Sequence, residues 1–148
     1  MEALRPEPAE GEGYVLEDQI GFRLRKAHQR ATETFNAVMG GFDVTPTQFA
    51  ALAKLDDAGP LPQNHLGRLV AMDPATIFGV VGRLAKRGLV ESRVDGKDAR
   101  VVLVALTPEG KAAVARMKAV AAEVSRRTLA PLAAKEAETL LKLVAKLG

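Results

Sequence analysis

Residues Met72 to Gly110, MDPATIFGVVGRLAKRGLVESRVDGKDARVVLVALTPEG, constrain the fold more than any other part of the chain. They open on Asp73-Pro74, a capping carboxylate followed by a residue whose fixed φ suits the first helical position. Ile77, Val80, Val81 and Leu84 then recur at helical spacing to about Arg87, and Gly88 closes the helix. Leu89 to Val94 and Arg100 to Leu106 are rich in β-branched residues and flank the turn-forming cluster Asp95 to Asp98, which reads as a hairpin. Thr107-Pro108 starts another helix. The order helix, hairpin, helix builds a helix-turn-helix with a β-hairpin wing if one more short helix precedes it.

The flanking sequence supplies that helix. Thr45-Pro46 repeats the cap-plus-proline signal, Phe49, Leu52, Ala53 and Leu55 form a buried stripe, and Gly59-Pro60 stops it. A short helix is predicted from about Gln63 to Val70, with Leu66, Leu69 and Val70 inward. Upstream, from about Glu17 to Met39, Ile20, Leu24, Ala27, Ala31, Phe35 and Val38 make one face apolar until Gly40-Gly41. Downstream, Val114, Met117, Val120, Ala121 and Val124 continue the helix opened at Thr107, and a last helix spans about Ala134 to Leu147. The expected fold is mainly α with a small β-hairpin wing: a winged helix-turn-helix flanked by N- and C-terminal dimerisation helices. Residues 14–148 read as a single domain, with the winged helix at about 45–107 and dimerisation helices at about 17–39 and 107–147. Residues 1–13 read as a disordered acidic tail.

Charge is uneven. The whole chain carries +3, but Glu2, Glu7, Glu10 and Glu12 against Arg5 leave the body with 20 basic and 14 acidic residues, a net of +6. A basic body suits an anionic partner. The chain has no cysteine, which excludes thiol nucleophiles, cysteine-ligated zinc and disulfides. His28 and His65 have no metal-ligand spacing. No serine–histidine–acid arrangement or phosphate loop is legible, so no catalytic residue, metal or cofactor is expected. No apolar run approaches the roughly 20 residues needed to span a bilayer. With no signal peptide legible either, no membrane association and a cytoplasmic location are expected.

The Asp73 helix needs only four residues for its core, leaving Ala75, Thr76, Phe78, Gly79 and Arg83 to face outward. These are the candidate contacts to double-stranded DNA: Thr76 to a base or phosphate, Phe78 to a thymine methyl. Gly79 and Gly82 each cost about 1 kcal/mol of helix propensity against alanine, and they let DNA approach the backbone closely. The competing reading has Phe78 partly buried and the glycines merely relieving crowding. In the hairpin, Arg93, Lys97 and Arg100 are candidate backbone contacts, with Asp95 and Asp98 as wing supports that brace an arginine by a charge-assisted bond. The alternative there is a solvated surface pair.

With VTPTQFAAL (Val44 to Leu52), MDPATI (Met72 to Ile77), RLAKRGLVESR (Arg83 to Arg93) and DGKDARVVLVALTPEG (Asp95 to Gly110), the chain resembles MarR-family winged-helix regulators over about residues 17–148. The resemblance implies that the Asp73 helix is the recognition helix, the Gln63 helix precedes it, and Asp98 with Arg100 supports the wing. It also implies a homodimer, against the alternative of a monomer folding its outer helices onto its own core. One departure stands out: family members often carry polar or charged side chains where Gly79 and Gly82 stand. Such regulators commonly bind phenolic or aromatic acids in a cleft beside the dimer helices. Arg23, Lys26, His28 and Arg30, beside Phe42 and Phe49, are the candidate wall for an anionic aromatic acid or acyl-CoA effector; a solvated basic face is the simpler reading. The expected function is a ligand-responsive regulator, a repressor that binds a pseudo-palindromic operator as a homodimer. The alternative is a winged-helix protein-interaction module without sequence-specific DNA binding.

Overall fold

The computed structural model describes residues 13–148. Six helices and one hairpin follow in order: α1 (Ile20–Met39), α2 (Pro46–Ala58), α3 (Gln63–Leu69), α4 (Pro74–Lys86), β1 (Val90–Val94), β2 (Val102–Leu106), α5 (Pro108–Leu129) and α6 (Ala134–Ala145). Each cap-plus-proline pair opens a helix. Thr45 Oγ1 accepts from the Gln48 amide at 3.2 Å while Gln48 Oε1 accepts from the Thr45 amide at 3.3 Å, a reciprocal capping box. Asp73 Oδ1 accepts from the Thr76 amide at 2.8 Å, and Thr107 Oγ1 from the Gly110 amide at 3.0 Å.

The start of α1 differs from expectation. Leu16–Asp18 form a separate 3₁₀ turn, and Gln19 is extended (φ −82°, ψ 138°), so the helix begins at Ile20 and not at Glu17. No side chain caps it there, and Gln19 Nε2 donates instead to the Val15 carbonyl at 2.9 Å. The acidic tail read over residues 1–13 lies outside the described residues but for Gly13. In α3 the inward side is Leu66 with buried Gly67, whereas Leu69 is exposed and Val70 half-buried. A Cβ on Gly67 would lie 3.0 Å from Ile77 Cγ2 and 3.1 Å from the Met72 carbonyl oxygen. That close approach is what lets α3 and α4 cross.

The hairpin is antiparallel, with Val90 opposite Leu106 and Val94 opposite Val102. Leu61, in the α2–α3 connection, exchanges two main-chain bonds with Val104 at 3.0 and 2.7 Å and so extends the hairpin by one residue. Where α4 ends and α5 begins the chain is tightly knotted. Gly88 turns at φ 72°, Thr107 Oγ1 donates to the Gly88 carbonyl at 2.6 Å, and the Thr107 amide donates to the Leu89 carbonyl at 3.1 Å.

One core joins these pieces: Phe35 and Met39 of α1, Leu52 and Leu55 of α2, Leu66, Ile77, Val80 and Leu84, Val104 and Leu106, Val114 and Met117. Two long-range ties reinforce it. Lys118 Nζ meets Asp56 at 2.8 Å and Asp57 at 2.6 Å, fixing α5 on the end of α2. Arg30 donates to the Arg127 carbonyl at 3.0 Å and the Thr128 carbonyl at 3.4 Å, closing the C-terminal end of α5. The expected apolar stripe of α1 is buried only in its second half. Ile20 is 65% exposed, Leu24 and Ala27 are open to solvent, and α6 has no buried residue at all. No helix among the described residues is long and apolar enough to cross a membrane.

Glu123 sits between Arg126 and Arg127, whose hydrogen bonds hold its carboxyl down from 4.5 to about 2. Because the folded value is depressed, this stabilisation is complete above pH 4.5 and is lost as pH falls toward 2. Chemical unfolding at pH 5 and pH 3 is expected to give the lower midpoint at the acidic value, with Glu123→Gln narrowing the gap. A midpoint that rises on acidification would contradict this sign.

Candidate nucleic-acid interface

Burial of Ile77, Val80 and Leu84 turns the rest of α4 to solvent. Ala75, Thr76, Phe78 and Arg83 are exposed, Gly79 is half-buried and Gly82 is open. Phe78 is 70% exposed, which rules out a core role in the single chain. The two glycines do different things. A Cβ at Gly82 would meet nothing within 4 Å, whereas one at Gly79 would lie 3.3 Å from Arg83 Nη1. The Arg83 guanidinium therefore lies back along the helix over Gly79, the direction helical side chains take. Thr76 is partly committed: its amide, then its hydroxyl, hold the Asp73 carboxyl below the usual carboxylate range.

The wing separates the residues grouped from the sequence. Asp98 Oδ1 accepts from the Arg100 amide at 3.0 Å and Nε at 3.1 Å, and Oδ2 accepts from Nη2 at 3.1 Å. This two-pronged brace leaves Arg100 90% exposed and holds the Asp98 carboxyl below its ordinary value. Asp95 braces no arginine; its Oδ1 accepts from the Lys97 amide at 3.0 Å and so shapes the turn. Lys97 is exposed at the tip. Arg93 does not join Lys97 and Arg100. It folds back along the strand, donating to Glu91 at 2.9 and 2.8 Å and to the Leu106 carbonyl at 3.2 Å. Glu91 was missed from the sequence, although residues two apart share one face of a strand.

The six candidate effector residues are not brought together within the chain. Arg23 pairs with Asp18 at 3.4 Å, Lys26 sits 5.9 Å above the Phe22 ring, and His28 is exposed. Arg30 is spent on the end of α5. Phe49 packs on Phe35 with ring centroids 6.1 Å apart, and Phe42 is half-buried. At 1.5 Å per residue, Arg23 stands about 18 Å along α1 from Phe35. A cleft of about 530 Å³ lies elsewhere, between the end of α1, the start of α2 and the last turn of α4. Its walls include Arg83, Lys86 and Arg87, facing Asn36, Asp43 and Gln48. Arg87 donates to the Asp43 carbonyl at 2.6 Å and the Phe42 carbonyl at 3.1 Å. Among the described residues no group of three or more histidine or acidic side chains could hold a metal ion.

Comparison with known proteins bears on this geometry. The sequence profile of the MarR family matches residues 44–102. The HTH-type transcriptional repressor NicR of Pseudomonas putida is 37% identical over 140 residues, covering 95% of this chain and 89% of that protein. A crystal structure described as a probable transcriptional regulator from Pseudomonas aeruginosa is 51% identical, with a TM-score of 0.86 over 90% of this chain and 100% of that one. BpsR of Bordetella bronchiseptica, whose DNA binding is regulated by 6-hydroxynicotinic acid, is 33% identical with a TM-score of 0.86, covering 92% and 97% of the two chains.

Proposed function

Because the chain belongs to the MarR family of winged-helix transcriptional regulators, we propose that it is a repressor that binds a pseudo-palindromic DNA site as a homodimer and releases it when a small aromatic acid binds. The observation that carries this reading is the pairing of a solvent-facing α4 with a braced, exposed Arg100 on the adjoining wing. An α-helix fits the major groove, and the wing then meets the flanking backbone. Ala75, Thr76, Phe78, Gly79 and Arg83 supply the groove contacts, and Lys97 and Arg100 the phosphate or minor-groove contacts. Arg93 supports the wing from Glu91 and does not reach out from the tip. Phe78, ringed by Ala75, Gly79 and Gly82, favours apolar contact with thymine methyls and recognition of DNA shape over a side-chain hydrogen-bond code.

Residues 14–148 act as one domain in this reading, with the winged helix at 45–107 and the outer helices, 17–39 and 107–147, forming the dimer. The apolar faces left open on the first half of α1 and on α6 support the dimer. Two-fold symmetry then places two copies of α4 about one DNA turn apart. NicR is named a transcriptional repressor, and BpsR answers to 6-hydroxynicotinic acid. Those two facts support the repressor role and the class of effector.

Fluorescence anisotropy with a duplex from the region upstream of the chain's own gene tests this. Affinity should fall steeply between about 50 and 200 mM salt. Arg100→Ala should weaken operator and random duplex by similar factors and reduce the salt slope by about one. Phe78→Ala should instead change the preference among sites, by about 1–3 kcal/mol at the base step it covers. Binding that ignores both salt and sequence would favour a protein-interaction module.

A further inference from the structure

Ile77, Val80 and Leu84 define the buried side of α4, and at about 100° per residue Ala75, Gly79, Gly82 and Lys86 lie on the opposite side. Three of those four carry a methyl group or no side chain, so the outermost line of the helix is nearly bare backbone. Arg83 covers part of it. A Cβ on Gly79 would stand 3.3 Å from Arg83 Nη1 and 3.9 Å from Cζ, whereas one on Gly82 would meet nothing within 4 Å. The guanidinium is therefore seated on one glycine and clear of the other. Gly79 is accordingly half-buried and Gly82 open. Arg83 pairs with no carboxylate among the described residues, which leaves its fork open to an outside acceptor.

We propose that Gly79 is the seat that positions Arg83 as a hydrogen-bond reader, and that its target is a guanine in the base pair beside the one Phe78 covers. On the major-groove edge only guanine offers two acceptors side by side, O6 and N7. Adenine sets a donor beside its N7, thymine offers one oxygen and cytosine a donor. A planar guanidinium matches the guanine pair with two parallel N–H bonds, which an ammonium cannot do. Direction decides between a base and a phosphate. Laid back over Gly79, the head is carried toward the N-terminal half of α4, the end of a reading helix that meets base edges. With no Cβ beneath it, the guanidinium lies against the helix, so the backbone can come closer to the bases. Phe78 precedes Gly79 by about 1.5 Å along the axis and about 100° around it. The ring and the guanidinium thus stand side by side and meet neighbouring base pairs, stacked about 3.4 Å apart. This inference rests on the regulator reading and deepens it, adding a named base to a face otherwise suited to thymine methyls and DNA shape.

The test lets the full chain select its site from a randomised duplex library, and anisotropy then measures variants of the selected duplex. A guanine next to a thymine should recur in both half-sites. Exchanging its G·C pair for A·T should weaken the parent about 5- to 100-fold. Replacing only that guanine by 7-deazaguanine, which lacks the N7 acceptor, should also weaken it, and should not affect Arg83→Ala. Arg83→Lys keeps the charge and loses the fork, so it should keep the salt slope and lose the guanine preference. Gly79→Leu, which fills the seat, should lose that preference too, whereas Gly82→Leu on the same side of the helix should keep it; near-native circular dichroism would verify both folds. Before any DNA is added, the ¹⁵N Nε–H signal of Arg83 should move in Gly79→Ala and stay in place in Gly82→Ala. A guanine preference that survives Arg83→Lys would overturn the proposal. So would an Arg83→Ala protein that binds every duplex more weakly by one factor, with a salt slope lower by about one, because Arg83 would then be a phosphate contact. Selection of no duplex at all removes the regulator reading and this proposal together, whereas a selected site without the guanine removes this proposal alone.

Discussion

Gly110→Ala is expected to destabilise the fold by about 3 kcal/mol or more, enough to leave much of the chain unfolded at 37 °C. The added Cβ would fall on the Leu89 carbonyl oxygen and stand 2.9 Å from its carbonyl carbon. Neither atom can yield, because the Leu89 carbonyl accepts the Thr107 amide and its neighbour Gly88 accepts the Thr107 hydroxyl. Gly82→Ala is the control. Its Cβ would meet nothing within 4 Å in mid-helix, so it should stabilise by about 0.5–1 kcal/mol. Thermal unfolding followed by circular dichroism reads both changes. Equal melting temperatures for the Gly110→Ala protein and the parent would show that the knot between α4 and α5 gives way more easily than its hydrogen bonds imply.

The second large effect concerns assembly. Leu140→Glu with Leu143→Glu should convert the proposed homodimer to a monomer and drop operator affinity toward the non-specific level, about 10³-fold. Both leucines are exposed in the single chain and line an almost wholly apolar groove with Leu132, while α6 buries nothing of its own. Two carboxylates there would have to be desolvated in any partner interface. The helix has no buried role in the monomer, so the fold should survive, as near-native circular dichroism would verify. Sedimentation velocity gives the mass and anisotropy the affinity. A variant that stays dimeric and binds operator normally would place the interface elsewhere.

How much was legible in the sequence follows from the range of the interactions. Thr45, Asp73 and Thr107 cap helices through bonds to residues three positions on, so the sequence contains both partners in plain view. The Asp98–Arg100 brace is equally local. The beginning of α1 was misplaced because no such cap exists at Gln19. Arg30 and Arg87 close helix and loop ends 97 and 44 residues away, and nothing in the local pattern distinguishes them from surface arginines. The sequence places Arg30 on the same helix as Arg23 and is silent about what the chain lays against it. Gly67 and Gly110 likewise look like ordinary helix-weakening residues until the neighbouring backbone is in place.

The bond between Leu61 and Val104 has a consequence for inheritance. Leu61 is flanked by Pro60 and Pro62, so within that triplet only one amide exists to pair with the wing strand. A slip of one residue in either direction would present a proline nitrogen, which cannot donate. The register between the α2–α3 connection and the wing is therefore specified by where amides are missing, and not by the identity of any side chain. Leu61 can drift to many residues without moving the wing. Loss of either proline would leave the bond intact and make its position ambiguous, a change that stability measurements would overlook and operator spacing would feel.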